Sequence, residues 1–108
     1  MNMRKVVWRP RAHLDRQSIA LYLGQECGNP KAALSAIREI DTAIDRVREF
    51  PELGRNFDAD MLSHHDYRCV LAGTYRVFYR FVDNQIIICR VLHQRRDIDP
   101  RALVEFPA

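Results

Sequence analysis

The last third of the chain constrains the fold most. Tyr75 to Val82 (YRVFYRFV) is followed by the pair Asp83-Asn84, then by Gln85 to His93 (QIIICRVLH), which runs into Gln94-Arg95-Arg96-Asp97. Both runs are rich in aromatic and β-branched side chains that suit extended backbone, and an Asp-Asn link tolerates the positive φ of a tight turn, so the segment predicts a β-hairpin. Alternation along the first run puts Tyr75, Val77, Tyr79 and Phe81 on one sheet face and Arg76, Phe78, Arg80 and Val82 on the other, one face core and the other mixed. The second run carries Ile86, Ile87, Ile88, Val91 and Leu92, the near-continuous apolar pattern of a central strand buried on both faces. Its end is a rigid place from which to present His93, Arg95 and Arg96 to a partner.

Upstream, Lys5 to Arg9 (KVVWR) is a short strand stopped by Pro10. From Arg11 to about Cys27, the residues Ala12, Ile19, Leu23 and Cys27 fall in one stripe of an amphipathic helix, while Leu14 and Leu21 make a second apolar strip nearly opposite. Gly28-Asn29-Pro30 breaks and restarts the helix, with Gly as C-terminal cap, Asn29 as N-cap and Pro30 in the first turn. A second helix to about Phe50 carries Ala33, Ile37, Ile40, Ile44 and Val47 at alternating four- and three-residue steps. Pro51-Glu52-Leu53-Gly54 ends it. Arg55 to His65 reads as a surface loop, Tyr67 to Leu71 as a strand, and Gly73 permits a turn into the hairpin. The order is β-α-α-β-β-β, an α+β fold in which a helical hairpin packs on a small, mainly antiparallel sheet. Asp99 and Pro100 then offer the start of a short C-terminal helix over 101–106, which could equally stay an irregular tail.

A chain of 108 residues suits a single domain over 1–108, and its 47% hydrophobic content is ordinary for a globular core. No apolar stretch is long enough to span a bilayer, and the start leads into a strand without a signal-peptide segment, so a cytoplasmic, membrane-free protein is expected. Cys27, Cys69 and Cys89 lack paired spacing and read as reduced, buried thiols. His64-His65 has no carboxylates at metal-ligand spacing, and neither a metal nor a cofactor is expected.

The formal charge is only +3, but fifteen of the seventeen basic residues are Arg. Arginine forks bind phosphates and carboxylates bidentately, which hints at an anionic partner, although GC-rich coding produces the same bias. Arg76 and Arg80 could join Arg68 and Arg90 from neighbouring strands in a cationic concavity suited to nucleic acid or an acidic peptide. They could equally be paired with Asp66, Asp83 and Asp97. His93 with Arg95 and Arg96 has the ingredients of phosphodiester cleavage, with His as acid or base and Arg stabilising the developing charge; a hydrogen-bonded structural histidine is the plainer reading. The strip of Leu14 and Leu21 needs a cover, which could be a partner helix, a second copy, or the chain's own Leu103 to Phe106.

With this element order, the Pro51-x-x-Gly54 exit, and the ending RVLHQRRD over Arg90 to Asp97, the chain resembles the RelE/ParE toxin superfamily of type II toxin–antitoxin systems. The pair of last strands, YRVFYRFVDNQIIICRVLHQRRD, looks like the ParE branch, which includes plasmid-stabilisation proteins. The resemblance implies one of two activities: ParE-type inhibition of DNA gyrase, with blocked replication and growth arrest, or RelE-type ribosome-dependent mRNA cleavage. Arg76 and Arg96 fall where RelE-type enzymes carry functional arginines and Arg68 near a functional lysine, so Arg68, Arg76, His93 and Arg96 would form a ribonuclease site. The family's C-terminal tyrosine position is Ala102 here, its second basic strand position is Val70, and no Tyr or His follows His93. Arginines alone are poor proton carriers. The expectation is therefore a gyrase inhibitor rather than an enzyme, contacting the topoisomerase, and indirectly its DNA, through Arg76, His93, Arg95 and Arg96. The resemblance also implies a cognate antitoxin, ParD-like or other, forming a hetero-oligomer over Leu14, Leu21, Arg68, Arg80 and Arg90. An inactive homologue serving only in autoregulation with its antitoxin is the third expectation.

Overall fold

The computed structural model describes residues 4–57, 66–96 and 103. The elements are β1 (Lys5–Trp8), α1 (Pro10–Leu21), a single π-helical turn (Tyr22–Glu26), α2 (Pro30–Glu49), β2 (Arg55–Asn56), β3 (Tyr67–Ala72), β4 (Tyr75–Val82) and β5 (Gln85–His93). The hairpin forms as its sequence dictates. Asp83 and Asn84 both adopt positive φ, 53° and 59°, the two-residue turn whose twist matches that of its strands. The strand order is β1-β5-β4-β3-β2, with β1 parallel to β5 and every other pairing antiparallel. The apolar β5 is thus flanked by a strand on each side. Phe78 faces Arg90 while Tyr79 faces Ile88, leaving Cys89 as an extra residue in a β-bulge.

The helices cover one face of this sheet. Ala12 of α1 and Ile40, Ile44 and Val47 of α2 bury themselves against Val77, Tyr79, Ile86 and Ile88. The opposite face carries a second, smaller core of Tyr67, Phe78, Cys89 and Leu92, closed by Leu103. Leu103 is therefore spent on the far side of the sheet, and Leu14 and Leu21, each 55% exposed, are not covered by it as one expectation had it. The proposed helix start at Asp99-Pro100, the pair His64-His65, and Asp97 lie outside the described residues.

Between the helices, Gly28 takes φ 61°, and the Asn29 side chain accepts a hydrogen bond from the Ala32 amide at 3.0 Å. This is the break and restart that Gly-Asn-Pro encodes. The first helix does not run uninterrupted to Cys27, however. The Cys27 amide reaches five residues back to the Tyr22 carbonyl at 2.9 Å, and the extra residue in that turn rotates the residues after it off the buried stripe. Cys27 is consequently exposed and Cys69 half-buried; only Cys89 is the buried thiol expected of all three.

Two further differences concern the segment after α2. Arg55–Asn56 is not loop but a two-residue edge strand paired with Cys69 and Arg68. So short a pairing rests on backbone hydrogen bonds and needs no apolar alternation in its sequence. The exit Pro51-x-x-Gly54 wraps the hydroxyl of fully buried Tyr79, which donates to the Pro51 carbonyl (2.7 Å) and accepts from the Gly54 amide (2.8 Å). A Cβ on residue 54 would stand 2.6 Å from that hydroxyl, so the close approach requires glycine. No described helix is long and apolar enough to cross a membrane.

Candidate functional site

The end of β5 is a braced turn. Gln94 donates to the Thr74 carbonyl (2.8 Å), Arg96 to the His93 carbonyl (2.9 Å), and the Arg76 guanidinium reaches across from β4 to the Arg96 carbonyl (2.6 Å). The Arg95 amide donates to His93 Nδ1 at 3.1 Å, which places the proton of the neutral ring on Nε2. The His93 ring stands edge-on to Tyr75, its cross-strand partner, with centroids 5.5 Å apart. His93, Arg95 and Arg96 are exposed. The structure thus brings Arg76, His93, Arg95 and Arg96 to one end of the sheet, with Arg76 over Phe78 on one face and His93 against Tyr75 on the other.

It does not gather the other arginines with them. Arg68 faces Tyr79 across the β3–β4 ladder, whereas Arg76 faces Leu71, three residues further along β3, so Arg68 and Arg76 project from opposite faces. Arg68 is held on the helix side by the carbonyls of Glu52 (3.3 Å) and Gly54 (2.9 Å). Arg90 is only 6% exposed and forks onto Asp15 of α1 at 2.7 and 3.0 Å; a third bond to that carboxylate comes from the Val91 amide at 3.0 Å. Arg80 forks onto Asp66 at 2.9 and 3.0 Å and lies over the Tyr67 ring, 5.3 Å from its centroid. In both cases the paired carboxylate outweighs burial and pushes the guanidinium above its ordinary range. The concavity expected of Arg68, Arg76, Arg80 and Arg90 is therefore absent, because register divides the set between two faces and carboxylates consume two of its members. Nor do Arg68, Arg76, His93 and Arg96 share one cleft.

Two concave surfaces lie beside these groups. A groove of about 560 Å³ separates α2 from the outer side of β3, between Lys31, Leu34, Arg38, Arg46 and Leu71. Beyond the two-residue β2, the edge of β3 from Val70 to Ala72 has no strand partner among the described residues, and Leu71 is 63% exposed. A smaller cleft of about 260 Å³ opens between α1 and the ends of β4 and β5, with Ser18, Tyr22, Tyr75, His93 and Arg96 on its walls. Burial raises the Tyr75 hydroxyl above its ordinary range, and hydrogen bonding to the Cys27 side chain does the same to Tyr22. Sequence reasoning missed Tyr22 and Tyr75 as neighbours of His93. The parity of the hairpin would have placed Tyr75 there, and regular helical spacing from Ser18 and Ile19 would have placed Tyr22, on the margin of the α1 stripe, beside it. No group of three or more His, Cys, Asp or Glu that could hold a metal occurs among the described residues.

A family model described as ParE toxin of type II toxin-antitoxin system, parDE, matches residues 6–98. The chain is similar to Toxin ParE1 of Mycobacterium tuberculosis, 41% identical over 64 residues, which are 58% of this chain and 62% of that protein. The match thus spans less than two thirds of that relative's length. It is also similar to Toxin RelE2 of Caulobacter vibrioides, 33% identical over 94 residues, or 87% of this chain and 99% of that one. Among solved structures, the chromosomal ParDE TA system from P. aeruginosa superposes with a TM-score of 0.64 at 18% identity, covering 84% of this chain and 96% of that one. The toxin-antitoxin complex RelBE2 from Mycobacterium tuberculosis gives a TM-score of 0.60 at 19% identity, with 85% and 99% covered. At such identities the structures establish the fold: two helices on a five-stranded mixed sheet.

Proposed function

This chain belongs to the ParE toxin family of type II toxin–antitoxin systems, and from that premise we propose that it arrests growth by inhibiting DNA gyrase in the cytoplasm and is neutralised by a cognate antitoxin. The observation that carries the non-hydrolytic reading is the division of the arginines. Cleavage of RNA needs an acid, a base and charge stabilisation converging on one phosphate, and here Arg68 is tied to loop carbonyls on the face opposite Arg76. What remains at the β5 end is a braced cationic turn, with His93, Arg95 and Arg96 exposed and a half-buried Arg76 holding the Arg96 carbonyl, suited to docking on a protein–DNA complex.

The antitoxin surface runs over the exposed Leu14 and Leu21 of α1 and past Arg68. Arg90 supports it from within, its guanidinium engaged by Asp15 of α1, whereas Arg80, clamped by Asp66 over Tyr67 on the opposite face of the sheet, lies away from it. The RelBE2 neighbour is by its title a toxin-antitoxin complex, which supports a partner of the same kind for this chain.

The test is gyrase supercoiling by the purified, antitoxin-free protein beside a folded Arg95→Ala/Arg96→Ala variant. Inhibition by the wild type that is lost in the variant supports the reading. A second reading, cleavage of ribosome-bound mRNA, is favoured by the relative named RelE2, which aligns over nearly its whole length. Cleavage of ribosome-bound mRNA with gyrase untouched replaces the first reading by the second.

A further inference from the structure

We propose that the cleft between α1 and the ends of β4 and β5 is a nucleotide pocket, which takes one unstacked base of a single-stranded nucleic acid between Tyr22 and His93 and its phosphate on Arg96. Such a pocket is compatible with either target of the toxin.

Three observations carry it. The first is the wall chemistry. Tyr22 is 56% exposed, so its ring is available as a stacking platform, and Tyr75 and His93, edge to face with centroids 5.5 Å apart, line the same cleft. Ring faces with an adjacent arginine are what sequence-tolerant single-strand sites use. The second is charge. The carboxylate in the cleft, Asp15, already accepts three hydrogen bonds from Arg90 and the Val91 amide, so its negative charge is neutralised inside the protein. Arg96 and the Nε2–H of His93 favour an anion on their wall of the cleft, while the carboxylate of Glu26 acts on the Tyr22 wall, where the base rather than the phosphate would lie. The third is shape. A volume of about 260 Å³ lies below the range usual for drug-sized ligands and suits one ring system.

Preorganisation points the same way. The π-helical turn, a local distortion that occurs preferentially at functional sites, begins at Tyr22, whose own amide is still bonded to the Ser18 and Ile19 carbonyls in the regular α1 path. The turn bearing Arg96 is braced by bonds from Gln94, Arg96 and Arg76 before any ligand arrives. A protein carboxylate would use Arg96 and leave the rings idle, and an apolar side chain would use the rings and leave the donors idle. A nucleotide uses both.

The experiment is fluorescence anisotropy of the full, antitoxin-free chain with labelled ten-nucleotide oligomers of dT, of U, and of abasic dT. Wild type should bind the base-bearing oligomers, and Tyr22→Ala should weaken binding by about 5- to 150-fold, the worth of one stacked base. Tyr22→Phe should keep it within about twofold, because the ring face is retained. Equal affinity for dT and U would assign a general single-strand site, and preference for one would name the nucleic acid. Equal binding of the abasic oligomer, equal binding by Tyr22→Ala confirmed folded by circular dichroism, or no binding by folded wild type would overturn the proposal. Displacement of the oligomer by an acidic peptide as readily as by free nucleotide would replace it with a plain anion site. Gyrase activity enters none of these readouts.

Discussion

Two regions of the molecule use arginine in opposite ways. In the body of the sheet, Arg80 and Arg90 are withdrawn from water and clamped by Asp66 and Asp15 in two-pronged ion pairs. At the end of β5, Arg95 and Arg96 stand on a short turn in solvent, and the hydrogen bonds there brace the backbone on which they are displayed. The lesson is that a count of arginines says little about a binding surface until each is assigned its carboxylate. The first group holds strands and helix together; the second is available to a partner.

Experiments can break or sharpen that contrast. The largest effect should come from Asp15→Ala, which leaves Arg90 buried and uncompensated and the Val91 amide without its acceptor. A loss of about 3–5 kcal/mol in urea unfolding is expected, and a loss under 1 kcal/mol would mean that Arg90 finds water easily and the contrast is overstated.

Cys89 supplies the next. Burial pushes its thiol up to about 11, so the folded state retains a proton that the unfolded chain releases near its ordinary value of 9.0. Stability from this group is therefore complete below about pH 8.5 and is lost as pH rises towards 11, by about 2–3 kcal/mol in all. The buried tyrosines Tyr67 and Tyr79 shift in the same direction. The clean measurement is accordingly the difference between wild type and Cys89→Ala in urea midpoints at pH 8 and pH 10.5, where the variant should show the shallower decline.

Tyr79→Phe comes third. It removes one hydroxyl and strands the Gly54 amide and the Pro51 carbonyl, at a cost of about 1–3 kcal/mol with no rearrangement at the β5 end. Least should come from Arg95→Ala/Arg96→Ala, within about 0.5 kcal/mol of wild type, while growth arrest on induction is lost. A comparable loss of stability would show that the displayed arginines are structural after all.

How much of this was legible in the sequence depends on the distance over which the determining contact acts. The Asp83-Asn84 turn, the Gly28-Asn29-Pro30 break and the central place of β5 are set by neighbouring residues, and each was readable. The opposed faces of Arg68 and Arg76 were readable in principle: Ala72 pairs with Tyr75 across Gly73 and Thr74, and the parity of the two strands is fixed by that pairing. The pairing of Arg90 with Asp15 was not, since it joins residues 75 positions apart and needs the docking of α1 on the sheet. β2 left no trace, because two residues on an edge need only backbone partners. The π-helical turn likewise has no local signature, and with it went the exposure of Cys27.

The parallel pairing of β1 with β5 also governs the order of events during synthesis. Residues 5–8 are synthesised before their partners, residues 85–88, which come some eighty positions later. Until then β1 has no strand to join and α1 has no Val91 amide or Arg90 to dock against. The His93–Arg96 turn follows directly on the strand that completes the sheet. A chain translated only as far as β4 therefore holds neither its complete core nor its cationic end, and both arrive together with β5.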